Sequence, residues 1–186
     1  MPEKVIRQTL LQIAQERDED KTFCPSEVAR SLSSDEDSWR KLMPKVRKCA
    51  AAEEARGVLM ATQCGKWIAI EKSKGAIRLK LRRDSRPPST PCFDLLNLGP
   101  VVARDLELVG VQTLQDLRDA TAIRAFEQVM VDRLHRGYQK GLFHAMYLYA
   151  LFGAIHNENC MKFPQSIREF LKAEASQIRD DVMGKN

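Results

Sequence analysis

The chain has 186 residues, enough for one well-buried core or two small ones. Hydrophobic residues make up 44% and charged residues 30%, which excludes a disordered polyelectrolyte and a membrane-embedded bundle. The net charge of +5 is uneven: 19 Lys and Arg face 13 Asp and Glu through Thr90, and 11 face 12 beyond it, so only the first half is suited to meet an anion.

Residues 2–17 are predicted to form a helix, with Ile6, Leu10, Ile13 and Ala14 on one face and Asp18-Glu19-Asp20 as a charged end. A short strand is expected at 21–24. Pro25 then opens a second helix, PSEVARSL, with Glu27 in its first turn. After a cap-rich turn at 33–36, a third helix is expected over 37–56. Trp39, Leu42, Met43, Val46, Cys49 and Ala50 form its apolar stripe. Arg40, Lys41, Arg47 and Lys48 fall opposite, with Lys45 at the margin. Pro44 interrupts the pattern without changing its phase, so a kink is expected there. Glu53 and Glu54 read as a charged helix end, within reach of Arg47 or Lys48 as surface partners.

The runs GVLMATQ and KWIAIEK, joined by Cys64-Gly65, read as a β-hairpin with Lys66 at its tip. AIRLKLR then alternates: Ile77, Leu79 and Leu81 face one way, Arg78, Lys80 and Arg82 the other, as a third strand or an arm. Helix, strand, helix, helix, hairpin is the order of a winged helix-turn-helix. Such a domain can lay its third helix in the major groove of duplex DNA and touch phosphates with the hairpin. The candidate DNA-binding set is Arg40, Lys41, Lys45, Arg47, Lys48, Lys66, Arg78, Lys80 and Arg82. The words PSEVAR, WRKLMPKVRKCA and QCGKWI resemble a small bacterial domain family of unknown function, which implies a winged-helix-like fold over 23–82.

The stretch RDSRPPSTP at 83–91 is rich in proline and has no large apolar residue, so residues 84–91 are expected to be a semi-extended linker between domains at 1–83 and 92–180. The second domain opens with DLLNLGPVVARDLELVGVQTLQDL at 94–117, two helices and a tight hairpin. Asn97-Leu98-Gly99-Pro100 is the turn, Val101, Val102, Leu106 and Val109 the apolar face, Gly110 the helix stop, and Thr113 with Asp116 a capping pair. Helices are expected over 120–138, carrying Ile123, Phe126, Val129, Met130 and Leu134, and over 142–156, apolar nearly all round. Gly137 and Gly141 bracket the turn between them. A last helix over 164–179 carries Ile167, Phe170, Leu171 and Ala175, and 180–186 are expected to fray. The fold expected is mainly α with a small hairpin: a winged helix-turn-helix followed by an all-α helix-hairpin-helix-like bundle.

The pattern N-L-G-P-x-x-A-x-x-L-x-x-x-G-[VI]-x-T-x-x-x-L, with LYALFGAIH at 148–156 and KFP at 162–164, resembles the C-terminal domain of the TfoX/Sxy competence-regulator family over 95–173. The resemblance implies a small helix-hairpin-helix-like bundle and a role in competence or a related transcriptional programme. The basic first domain stands where that family carries a different N-terminal domain. A helix-hairpin-helix turn can present backbone N–H groups to a phosphate. Here that assigns a contact to Asn97, Gly99 and Arg104, with Asp105 and Glu107 diluting the positive charge.

Cys24, Cys49, Cys64, Cys92 and Cys160 include no C-x-x-C pair, and His135, His144 and His156 lie away from them. No zinc finger or disulfide framework is therefore expected. His144 and His156 read as packed or polar-tip histidines. Four cysteines read as small hydrophobes, while Cys64 could be redox-responsive in its turn near Lys66. The apolar run at 142–155 is too short to span a bilayer, and the start of the chain lacks a signal-type apolar segment, so a bacterial cytoplasmic location is expected. There is no P-loop, G-x-G-x-x-G, G-x-S-x-G or H-E-x-x-H, so neither catalysis nor a cofactor or metal is expected. The reading is a DNA-binding regulator. Its second domain would add a DNA contact, dock another regulator, or self-associate. The rivals are a protein-interaction adaptor without DNA contact and an accessory unit of a DNA-processing enzyme.

Overall fold

The computed structural model describes residues 1–18, 21–138 and 144–184, arranged as two compact units, Met1–Arg83 and Asp84–Asn186. The charged end at Glu19-Asp20, the turn at Gly141 and the first two residues of the helix expected from 142 lie outside the described residues.

The first unit contains α1 (Glu3–Glu16), α2 (Pro25–Leu32), α3 (Glu36–Ala55), β1 (Leu59–Gln63), β2 (Lys66–Ile68) and β3 (Arg78–Leu81). Ile6, Leu10 and Ala14 recur every four residues on α1 and are buried with Val28 of α2 and Val46 of α3. Pro25 opens α2, and the Glu27 carboxylate accepts from the Cys24 N–H at 2.7 Å, closing the first turn. Asp35 caps α3 by accepting from the Ser38 N–H at 2.8 Å. The helix runs unbroken across Pro44, which is exposed, so water can satisfy the carbonyl that proline leaves without a donor.

The sheet order is β2-β1-β3, antiparallel throughout. Cys64 (φ 51°) and Gly65 (φ 75°) both adopt positive φ, as a two-residue hairpin turn requires. The strand expected at 21–24 reduces to one bridge: Phe23 exchanges backbone hydrogen bonds with Leu79 at 2.9 and 2.8 Å. The connection between β1 and β3 therefore holds β2, a 3-10 turn (Ile70–Lys72) and the loop 73–77.

The second unit packs α4 (Pro100–Leu108), α5 (Leu114–Ala120), α6 (Ala122–His135), α7 (Ala145–His156) and α8 (Gln165–Met183). α7 is central, with Leu148 and residues 150–156 all buried, and it packs on α5, α6 and α8. A side chain at Gly153 would meet Asn97 Nδ2 at 2.5 Å and the Glu158 carbonyl at 2.7 Å, so the close approach requires glycine. Thr113 and Asp116 form the capping box at α5.

Three expectations change here. On α4 the buried residues are Ala103, Asp105 and Leu106, whereas Val101 is 65% exposed: the helix is too short for its first turn to lie over the core. Helix α8 continues to Met183, into the segment expected to fray, and Ile178 joins its buried stripe. The proline-rich segment is tied down and does not hang as a spacer. Arg86 donates to the Ala154 and Ile155 carbonyls at 2.8 and 3.0 Å, and Asp84 binds Arg86 and Arg118 at 2.5 and 2.6 Å. The Pro88 and Thr90 carbonyls accept from Gln115 and Leu114. Among the described residues no helix is long and apolar enough to cross a membrane.

Candidate nucleic-acid interface

On α3 the residues that pack inward are Val46, Cys49 and Ala50, with Trp39, Leu42 and Met43 half-buried. Lys41, Lys45 and Lys48 recur at intervals of four and three along the opposite side, and all three are exposed. Their spacing places three ammonium groups in one column. Arg40 is also exposed, but its guanidinium is held by Glu36 at 2.6 Å and lies 4.9 Å over the Trp39 ring. Those bonds, followed by the charge of Arg40, keep the Glu36 carboxyl below its ordinary range.

Arg47 is turned away from that column. Its Nη2 donates to the Ser73 carbonyl at 2.9 Å and the Ser73 hydroxyl at 2.6 Å, and its Nη1 donates to the Gly75 carbonyl at 3.1 Å. Arg47, Lys48, Pro44 and Ala51 form one wall of a cleft of about 400 Å³, and Ile70, Glu71 and Ser73 form the other. Lys66 is exposed at the hairpin turn, paired with Gln63. Arg78 is exposed and lies 3.8 Å from Glu27, while Lys80 and Arg82 are half-buried, with Arg82 5.7 Å from the Trp67 ring centroid. The nine basic residues singled out in the sequence thus divide. Lys41, Lys45 and Lys48 form a column, Arg47 is taken into the fold, and the strand residues belong to other surroundings. Arg30, absent from the expected set, also lies over the Trp39 ring, 4.7 Å from its centroid. Its only sequence signal is a basic residue at the end of α2 shortly before a tryptophan.

Glu53 and Glu54, expected on a solvated helix end, are both buried. Glu53 accepts from Arg7 at 2.7 Å and from Arg56 at 3.1 Å, not from Arg47 or Lys48. Glu54 accepts from the Ile70 N–H at 2.9 Å, anchoring the 3-10 turn to α3. Burial pushes its carboxyl up to about 8, so the group is largely neutral at pH 7.

In the second unit the hairpin turn is committed to its own fold. Asn97 (φ 72°) donates to the Glu158 carbonyl at 2.8 Å and accepts from the Cys160 N–H at 3.2 Å. Gly99 precedes α4 in an extended conformation, with Pro100 following. Arg104 is exposed and borders a groove of about 690 Å³ lined also by Cys92, Phe93, Ala103, Glu107 and Val111. Asn97 is not among the residues that line that groove. Asp105, read as a surface acid beside Arg104, is buried and accepts from Arg133 at 2.9 Å, Arg136 at 2.9 Å and Tyr147 at 3.3 Å. Burial, followed by the Asp105 charge, raises the Tyr147 phenol, which therefore stays a donor. His144 caps α7 through Nδ1, and His156 is buried 4.1 Å from the Phe152 ring centroid. Cys64 is exposed, Cys24 is half-buried, and Cys49, Cys92 and Cys160 are buried. Among the described residues no group of three or more His, Cys, Asp or Glu is placed to hold a metal ion.

Comparison with known proteins matches both units. Residues 3–82 match the family described as a protein of unknown function, DUF3253, and residues 92–175 match the TfoX C-terminal domain. No curated protein matches the chain. The chain joins a DUF3253 domain, its winged-helix-like first unit, to a TfoX C-terminal domain, its helical second unit.

Proposed function

We propose that the protein is a DNA-binding transcription regulator whose first unit meets duplex DNA through the exposed side of α3. The observation that carries this reading is the column Lys41, Lys45 and Lys48, exposed along an outward helix face in a domain whose half of the sequence holds the excess positive charge. Phosphates are the ligands such a column fits, because each ammonium can displace a condensed counterion from the duplex. Arg40 and Arg30, stacked about Trp39, supply planar donors near the start of the same helix. Lys66, Arg78, Lys80 and Arg82 remain candidate backbone contacts from the sheet. A competence-type programme is the regulatory setting that the TfoX C-terminal domain favours. Charge reversal tests the reading: Lys45→Glu/Lys48→Glu should abolish binding to a labelled duplex while leaving the far-ultraviolet circular dichroism spectrum unchanged. Undiminished binding by that variant would refute the assignment to α3.

A second reading is favoured by a separate observation. Phe93, Val101 and Leu108 are exposed around the first helix of the second unit, and Phe93 borders the 690 Å³ groove. Large exposed apolar groups mark contact surfaces. On this reading the TfoX C-terminal domain docks another regulator or a second copy, and the chain is an adaptor without DNA contact. Sedimentation of wild type and Phe93→Asp checks the self-association form: the wild type should sediment as an oligomer and the variant as a monomer.

A further inference from the structure

The loop that follows the 3-10 turn is Ser73-Lys74-Gly75-Ala76, one lysine among small residues. It has no regular secondary structure, yet four successive carbonyls are taken by side chains from elsewhere. Arg47 of α3 holds those of Ser73 and Gly75 at 2.9 and 3.1 Å. Gln63, the last residue of β1, donates through Nε2 to those of Lys74 and Ala76 at 2.7 and 3.0 Å. The Ser73 hydroxyl accepts from Arg47 and donates to the Ile70 carbonyl at 2.7 Å. Gly75, at φ +82°, supplies the left-handed residue that lets the chain present its carbonyls to two separate forks.

A short polar loop needs no such anchoring to complete the core, since none of residues 73–76 is buried. Anchoring does have two consequences for an anion. It engages the carbonyl oxygens, whose partial negative charge would otherwise oppose a phosphate. It also fixes the backbone that carries Lys74, so less freedom is lost when a ligand is bound. Lys48 and Ser73 border the same 400 Å³ cleft, and Lys48 is the member of the Lys41-Lys45-Lys48 column that reaches it. Among the described residues that line the cleft Glu71 is the acid, and it precedes the loop in sequence, on the 3-10 turn.

We infer that the α3 lysine column and the anchored loop are the two banks of one phosphate track, with Lys48 and Lys74 contacting the nucleic-acid backbone and Arg47 acting as a positioning residue that holds the loop. This rests on the nucleic-acid reading of the first unit and shifts the wing contact from the hairpin tip at Lys66 to residues 73–76. Arg47 then matters for binding without touching DNA.

The experiment is a double-mutant cycle on the full chain, read by fluorescence anisotropy of a labelled mixed-sequence duplex over a salt series. Lys74→Ala should weaken binding about 3- to 10-fold near physiological salt and make the slope of log affinity against log salt shallower by about one. Arg47→Ala should weaken binding similarly, and the double variant should bind no worse than the weaker single variant, because both changes remove the same contact. Lys74→Ala alters an exposed side chain and should retain the wild-type melting temperature, so it remains informative if Arg47→Ala does not fold. Wild-type affinity and salt slope in Lys74→Ala, together with lost binding in Lys45→Glu/Lys48→Glu, would overturn the two-bank track and leave the helix reading standing. Fully additive losses would overturn the positioning role of Arg47. A wild-type chain that binds no duplex at low salt would overturn the track and the nucleic-acid reading together.

Discussion

Arg47 and Glu54 lie two turns apart on α3, and both tie that helix to the segment between β2 and β3. Glu54 does so as a buried carboxyl raised to about 8. The unfolded chain would ionise it near its ordinary value of 4.5, so between those values unfolding releases a proton. Its contribution to stability is therefore fully present below about pH 4.5 and declines as pH rises through 8. Glu54→Gln keeps an acceptor for the Ile70 N–H and does not titrate. Chemical denaturation at pH 5 and pH 9 should show the variant gaining on the wild type by a few kcal/mol at the higher pH, to order of magnitude. Equal pH dependence in both proteins would remove the assignment of a neutral buried acid. Asp105 is a second buried acid, held by Arg133, Arg136 and Tyr147. Asp105→Ala leaves two guanidinium groups without their shared acceptor and should cost about 3–5 kcal/mol in urea denaturation. A cost under about 1 kcal/mol, the range of surface pairs, would contradict its structural role.

Secondary-structure elements show how far local chemistry reaches. Pro25 and Glu27 set the start of α2, Cys64-Gly65 sets the hairpin turn, and Thr113 with Asp116 sets the start of α5. Each is a short-range device whose parts are adjacent in sequence, so each was legible there. Thr113→Ala should cost about 1 kcal/mol, measured by thermal unfolding. Helical periodicity also identified most of the buried stripes, but it cannot say which polar residue will find a partner far along the chain. Asp105 lies 28 residues from Arg133, and Arg47 lies 26 from Ser73. The same limit hid the burial of Glu53 and Glu54, and it made the proline-rich segment read as a spacer when Arg86 is bound 68 residues away. Gly153 is another long-range requirement, since it admits Asn97 and the Glu158 carbonyl. Gly153→Ala should destabilise by about 1–3 kcal/mol, with Asn97→Ala partly relieving the effect. Additive costs in that pair would show that the crowding lies elsewhere.

Across the whole molecule, the division into two units follows the division of charge: the basic half is the DUF3253 domain and the near-neutral half the TfoX C-terminal domain. The candidate interface was legible in the sequence only as a set of basic residues on one helix. Its selection into exposed lysines and an internal arginine depended on where the loop 73–76 folds back. The most direct test of nucleic-acid binding is the affinity of the full wild-type chain for a mixed-sequence duplex at about 50 and 200 mM salt. If about four phosphates are neutralised, affinity should fall roughly 100-fold between the two conditions. Absence of binding at the lower salt, or binding that salt does not change, would contradict the phosphate-contact account and turn attention to the apolar surface of the second unit.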